Sequence, residues 1–346
     1  MAQAPVYYSD YLQLEKILNA QQPVSFKGVD RAHDEMLFII IHQTYELWFK
    51  QVLYEVQSVI DLMSKPLLND NAGDLQTIVH RLKRVATIQK LLVQQIDILE
   101  TMTSMDFLDF RDLLRPASGF QSTQFKILEA KLGLQFQQRH GQQYYTSQLH
   151  DKDIALIKDA ESAPSILRLI NQWLERMPFF DEEKFWKSYQ TETKKAFHIF
   201  WDDYERIYTT GLLEGEKNNA AFFKEIFYER DEANERALSP AACRSALFIM
   251  IYHGYPMLEQ PFQLLESLIE MDNQMGNWRS RHINMVRRMI GSRIGTGGST
   301  GAGYLQGAME KHYIFKELAQ LNSFLIDRKK LPKLPAELVE KLGYNF

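Results

Sequence analysis

Apolar residues recur at steps of three and four along most of this chain, and that spacing predicts helices. Over about 32–62, a stretch without Gly or Pro, one stripe runs Phe38, His42, Tyr45, Phe49, Val52, Val56, Val59. A second helix, over about 75–101, carries Leu82, Val85, Ile88, Leu92, Ile96 and Leu99 on one face. Residues 105–130 read as a short helix, a Pro-Ala-Ser-Gly turn at 116–119 and another helix. Segments 150–173, 183–210 and 240–255 read as helical too. From about 261 to 292 a long helix bears the stripe Met275, Trp278, His282, Met285, Met289 and stops at a glycine-rich loop, 295–303. One more helix and a Pro/Lys-rich tail end the chain. Such stripes bury against partner helices, and no segment alternates as a strand does. The expected class is therefore all-α: one large helical bundle domain over 1–346, with an N-terminal arm at 1–22 and a small helical insertion at about 179–236.

Composition narrows the function classes. Hydrophobic residues make up 45% and charged residues 24%, the balance of a soluble globular protein and not of a disordered one. A net charge of −4 gives no basic footprint, so neither nucleic acid nor an anionic membrane is expected as a partner. An apolar run such as MLFIII at 36–41 is far short of a membrane span. Cys243 is the only cysteine, which excludes an intramolecular disulfide and suits a reducing compartment. The start, MAQAPVYYSDYLQLEK, does not read as a signal peptide, and a cytoplasmic protein is expected.

The candidate chemistry begins with two histidines. His42 and His282 each interrupt an apolar stripe, so both imidazoles should point inward. Two readings fit: core histidines satisfied by a neighbouring carbonyl or hydroxyl, or a metal or haem site built between facing helices. There is no HExxH, no Cys/His cluster with zinc spacing and no repeated Glu-x-x-His pair. There is no C-x-x-C-H either, so any haem would be held without thioether bonds, by a ligating His in a dry pocket. The run 295–303 lacks the strand and the Gly-Lys-Ser/Thr ending of a phosphate loop. It is either a plain surface loop or a lid presenting Thr296 and backbone N–H groups to a ligand. Arg111, one helical turn after Phe107, is either a surface charge or a planar fork for a carboxylate beneath an aromatic wall. Tyr8 and Tyr11 read most simply as packing residues.

Four stretches carry a resemblance: YYSDYLQLEKIL at 7–18, HDEMLFIIIHQTYELWFK at 33–50, FLDFRDLLRPASGFQSTQFK at 107–126 and WRSRHINMVRRMIGSRIGTGGSTGAGYL at 278–305. Together, and in this order, they resemble the tryptophan 2,3-dioxygenase family over essentially the whole chain. The resemblance implies haem b, non-covalent, one per subunit and ferrous when active, with His282 as its axial iron ligand. It implies that His42 is the distal histidine, a catalytic residue that meets the indole N–H of the substrate without binding iron. Phe38 and Phe107 correspond to walls of the indole pocket; some members carry tyrosine at the second position, so a phenol hydrogen bond is missing here. Arg111 corresponds to the clamp on the substrate carboxylate, and Thr296 to a contact with its amino-acid end. Ser118 and Gly119 correspond to residues lining the substrate and cofactor pocket. Tyr8, Tyr11 and Leu12 correspond to arm residues that reach a neighbouring subunit's site in a homotetramer. The activity implied is insertion of both atoms of O2 across the indole C2–C3 bond of L-tryptophan. The product is N-formyl-L-kynurenine, the first step of tryptophan catabolism by the kynurenine pathway. His42 is expected to position the substrate more than to act as an obligatory base.

Overall fold

A computed structural model describes residues 5–66, 68, 73–140, 149–229, 236–295, 306–307, 309 and 311–343. Among these, all regular elements are helical and none is a strand, as expected for an all-α bundle. The arm carries two short helices, α1 (Tyr8–Leu12) and α2 (Leu14–Leu18), neither of which buries a residue. The segment that follows the arm is tied to α3 (Glu35–Met63) by the fully buried Glu35, whose carboxylate accepts the Val24 and Ser25 amides at 2.7 and 2.8 Å.

The predicted stripe of α3 faces inward, with Val52, Val56 and Val59 completely buried. It packs on α4 (Gly73–Leu99), where all six predicted face residues are buried. The two helices run antiparallel: Tyr45 donates to the Leu92 carbonyl at 2.8 Å, while Arg84, nearer the start of α4, pairs with Glu55 at 2.7 Å. The opposite flank of α4 meets the long helix α12 (Pro256–Ile290). There Lys83, Lys90 and Asp97, spaced by sevens, pair with Gln263, Glu270 and Arg281 at 2.7, 2.7 and 2.6 Å. Both partners advance together along the sequence, so α4 and α12 are parallel. Polar pairs at heptad spacing fix direction and register in this way. The α4 helix is thus the wedge that holds α3 and α12, and with them the two histidines, on either side.

The connecting elements are α5 (Ser104–Arg111), α6 (Thr123–Leu132), α7 (Asp151–Ser162), α8 (Ile166–Glu175), α9 (Ile199–Gly211), α10 (Asn219–Phe227) and α11 (Pro240–Tyr252). Phe200, Trp201, Tyr204, Phe223 and Phe227 of α9 and α10 form an aromatic layer against Phe248 of α11 and Phe324, all essentially buried. Tyr204, Tyr208 and Tyr252 each donate a hydroxyl to a backbone carbonyl in 323–332, so their polar tips are satisfied inside the core.

Four boundaries differ from the sequence expectation. The helix expected over 150–173 is two, α7 and α8, because Pro164 drives Ala163 into the extended region and Ser165 caps a new start. The expected helix 183–210 is a short 3-10 turn at Glu183–Trp186 followed by α9. The segment between them is irregular because α9 supplies its partners: Asp202 accepts the Ala196 and Phe197 amides, and Asp203 accepts the Tyr189 and Thr193 hydroxyls. The long helix starts at Pro256, which suits a first helical position, and runs on through Pro261. Among the described residues the C-terminal region carries α13 (Lys316–Gln320) and α14 (Ala336–Leu342), with the Pro/Lys-rich stretch between them and not as a tail.

Gly133 is demanded by geometry. Gly133 ends α6 at φ +140°, and a Cβ there would lie 2.7 Å from the Leu167 Cβ. Gly133→Ala is therefore expected to cost about 3 kcal/mol, from backbone strain and overpacking together. Urea unfolding measures it; an unchanged midpoint would contradict the crowding.

Candidate functional site

The site begins on α3. Phe38 and His42 are one turn apart, with ring centroids at 4.0 Å, and the His42 Nδ1 lies 2.7 Å from the Phe38 carbonyl. A carbonyl can only accept, so Nδ1 carries the proton and Nε2 presents a lone pair when the ring is neutral. Burial lowers the His42 pKa by more than the Phe38 carbonyl and the Glu46 charge raise it, so the ring is neutral at physiological pH.

The next wall is α5, started by a capping box between Thr103 and Asp106 and docked on α12 through Ser104, which donates to the Arg288 carbonyl at 3.0 Å. This places Phe107 over Phe38 in a stacked contact at 5.8 Å, with the fully buried Phe110 edge-on to both at 5.4 and 5.5 Å. One turn beyond Phe107, Arg111 is only 5% exposed. It donates through Nη2 to the Ile294 carbonyl, its Nε is buried without an acceptor, and among the described residues it has no carboxylate partner. A buried cation left without a counter-charge is costly, so this guanidinium is set up for an anionic ligand.

The third wall is α12. Trp278 lies 5.1 Å from the His282 ring and is pressed by Phe125 of α6 at 5.1 Å and by Tyr45 of α3 at 6.2 Å. The His282 Nδ1 is buried and has no hydrogen-bond partner among the described residues. Burial, and to a lesser degree the nearness of His42, together pull the His282 pKa down to about 4, so this imidazole is neutral as well. Between α5 and α6, Ser118 caps a 3-10 turn, Gly119–Gln121. A Cβ on Gly119 would meet nothing within 4 Å, so the backbone there borders open space.

Phe38, His42, Phe107, Arg111 and His282 are thus gathered around one region by α3, α5 and the C-terminal half of α12. The arm residues are not: Tyr8 and Tyr11 are 74% and 75% exposed, and Leu12 is half-buried on the same short helix. Thr296 and the glycine-rich run that follows lie outside the described residues. Sequence reasoning missed Phe110, although its place three residues after Phe107 and next to Arg111 was a usable helical signal. It also missed the Ile294 carbonyl that steadies Arg111, for which a sequence holds no signal.

These residues fit a haem better than a bare metal ion. No group of three or more His, Cys, Asp or Glu able to hold an ion exists among the described residues. A lone neutral imidazole offers one bond, and a porphyrin brings the other four ligands with it. The orphaned His282 Nδ1 and the apolar rings of Trp278, Phe38, Phe107 and Phe110 suit a flat apolar macrocycle.

Comparison with known proteins points the same way. The family model of tryptophan 2,3-dioxygenase matches residues 1–325. A tryptophan 2,3-dioxygenase of Alteromonas mediterranea is 45% identical over 98% of both chains. One from Dictyostelium discoideum is 44% identical over all of this chain and 90% of its own. Tryptophan 2,3-dioxygenase B of Danio rerio is 40% identical over 96% of this chain and 85% of its own. A match that runs almost from end to end, at identities this high, makes the assignment: the chain belongs to the tryptophan 2,3-dioxygenase family.

Proposed function

We propose that this protein is a haem-dependent dioxygenase that opens the indole ring of L-tryptophan to give N-formyl-L-kynurenine, the first step of tryptophan catabolism. The observation that carries the reading is Arg111: a buried guanidinium without a carboxylate partner among the described residues, one turn from an aromatic slot that ends in a neutral imidazole. L-Tryptophan presents the complementary groups, a carboxylate and a large apolar ring bearing a single N–H donor.

In this reading Arg111 grips the carboxylate, Phe38 and Phe107 flank the indole, and the Nε2 lone pair of His42 accepts the indole N–H. The Phe38 carbonyl fixes the tautomer that makes this possible, so the backbone of α3 takes part in substrate orientation. His282 would hold the haem from the other side through its free imidazole edge. When bound, haem supplies the iron that takes up O2 and the two-atom oxidation of the C2–C3 bond. The protein's own work is to hold the ring in one pose and keep water out, which is a positioning task. Ser118 and Gly119 would line the same pocket, and Thr296 would meet the amino-acid end of the substrate.

The exposed arm suits a further role. Tyr8, Tyr11 and Leu12 would complete the pocket of a neighbouring subunit in a homotetramer, which explains tyrosines left in solvent on a helix that buries nothing in its own chain. The whole chain would act as one cytoplasmic helical domain, with 179–236 an insertion built into the aromatic layer.

The test is anaerobic reduction of haem-loaded protein followed by O2 and L-tryptophan, with N-formylkynurenine absorbance as the readout. Wild type should turn over, and Arg111→Ala should raise the KM for tryptophan about 100-fold while O2 uptake by the iron is little changed. Absence of product from wild-type protein, or an unchanged KM in the variant, would contradict the reading.

The His42 ring must be neutral to accept, and its pKa lies below the ordinary 6.5. The acceptor form is therefore present above the lowered pKa and lost only as pH falls through it. The KM for L-tryptophan should stay flat from neutral pH down to 6.5 and rise below that. In His42→Ala this acid-side rise should vanish, with turnover slowed but not abolished. A rise centred at or above neutral pH would show that His42 is not the acceptor.

A further inference from the structure

Among the described residues the His282 Nδ1 has no hydrogen-bond partner and its ring packs on Trp278 of the same helix, so its direction follows the rotation and position of α12. One turn before it, two neighbouring side chains tie α12 to α6. Trp278 packs at a tilt against Phe125, and Arg279, 3% exposed, places Nη2 2.7 Å from Glu129 Oε1 and Nη1 3.1 Å from the His312 carbonyl. Phe125 and Glu129 are themselves one turn apart on α6, so the helices meet through an aromatic contact and a buried ion pair at one level.

The Glu129 end of this tie is rigid. The carboxylate is 3% exposed and accepts from Arg139 at 2.7 Å and from His312 Nδ1 at 3.1 Å besides Arg279. His312 in turn accepts the His140 amide on Nε2 at 3.1 Å, which settles its tautomer. Burial would raise the Glu129 carboxyl; His312, Arg139 and Arg279 outweigh it and hold the group well below the usual range, so it stays charged.

We propose that Glu129 and Arg279 form a latch that positions His282, setting the direction from which its imidazole reaches the iron. The latch rests on the haem reading above. A planar guanidinium held at two points fixes rotation as well as distance, which a single-point ammonium does not. The substrate-facing residues Phe38, His42 and Arg111 sit on α3 and α5, outside the latch. Loosening it should therefore act on turnover and leave substrate affinity nearly alone.

The experiment compares wild type with Glu129→Gln, Arg279→Lys and Arg139→Gln, all haem-loaded, with resonance Raman of the ferrous protein as the primary readout. Arg139→Gln removes a buried charge from the same carboxylate without touching α12, and so reports what loss of the cluster does structurally. Glu129→Gln and Arg279→Lys should keep their haem, shift or broaden the iron–histidine stretching band, and lower kcat about 10- to 100-fold with KM for L-tryptophan within about twofold of wild type. Arg139→Gln should lower Tm and leave the band where it is. If Glu129→Gln fails to fold, Arg279→Lys carries the comparison, since it retains the charge. Equal losses of Tm in all three with an unmoved band would overturn the latch while leaving the haem reading intact. A wild type with no iron–histidine band would overturn the haem reading first.

Discussion

Removing water from around an imidazole keeps it uncharged, and the rest of this structure depends on that. His42 and His282 sit in apolar stripes of different helices, and burial lowers the pKa of both. A neutral imidazole can accept an N–H or bind a metal; a protonated one can do neither. The same dryness makes the Arg111 guanidinium costly to leave alone and valuable to a carboxylate. In the proposed function, one physical condition would thus prepare a hydrogen-bond acceptor, a metal ligand and an anion clamp at once.

The fold keeps that condition by dividing labour among helices. The α4 helix lies between α3 and α12 and sets their registers through heptad-spaced polar pairs on one flank and ionic and hydroxyl contacts on the other. The α5 helix closes the space with Phe107, Phe110 and Arg111, and α6 braces the His282 helix from behind. The aromatic layer of α9–α11 contributes no residue to the gathered site. Its role is to fill the other half of the core and anchor the C-terminal stretch through tyrosine hydroxyls.

Much of this was legible in the sequence because it is periodic. The stripes of α3, α4 and α12 gave the helices, their buried faces and the inward histidines, since burial follows the 3.6-residue repeat. Chain ends of helices were less legible: Pro164 splitting α7 from α8 is a local signal that was overlooked, whereas the irregular stretch before α9 depends on Asp202 and Asp203 reaching back from the helix. Residues that act across long separations carried no signal at all. The pairing of Arg279 with Glu129, 150 positions apart, and the support of Arg111 by the Ile294 carbonyl are products of tertiary packing. The tautomer of His42 likewise became visible only when its Nδ1 was seen against the Phe38 carbonyl. Spacing alone left both histidines open between a core role and a functional one; the resemblance of four long motifs is what implies the functional one.

The central claim is that the two neutral histidines have unequal roles, one bonded to iron and one reserved for the substrate. Ferrous absorption spectra of haem-loaded wild type, His42→Ala and His282→Ala test this most directly. The account predicts a five-coordinate, single-histidine spectrum in wild type that survives in His42→Ala and is lost with the haem in His282→Ala. A six-coordinate spectrum with two nitrogen ligands, or one unaffected by the change at His282, would contradict it.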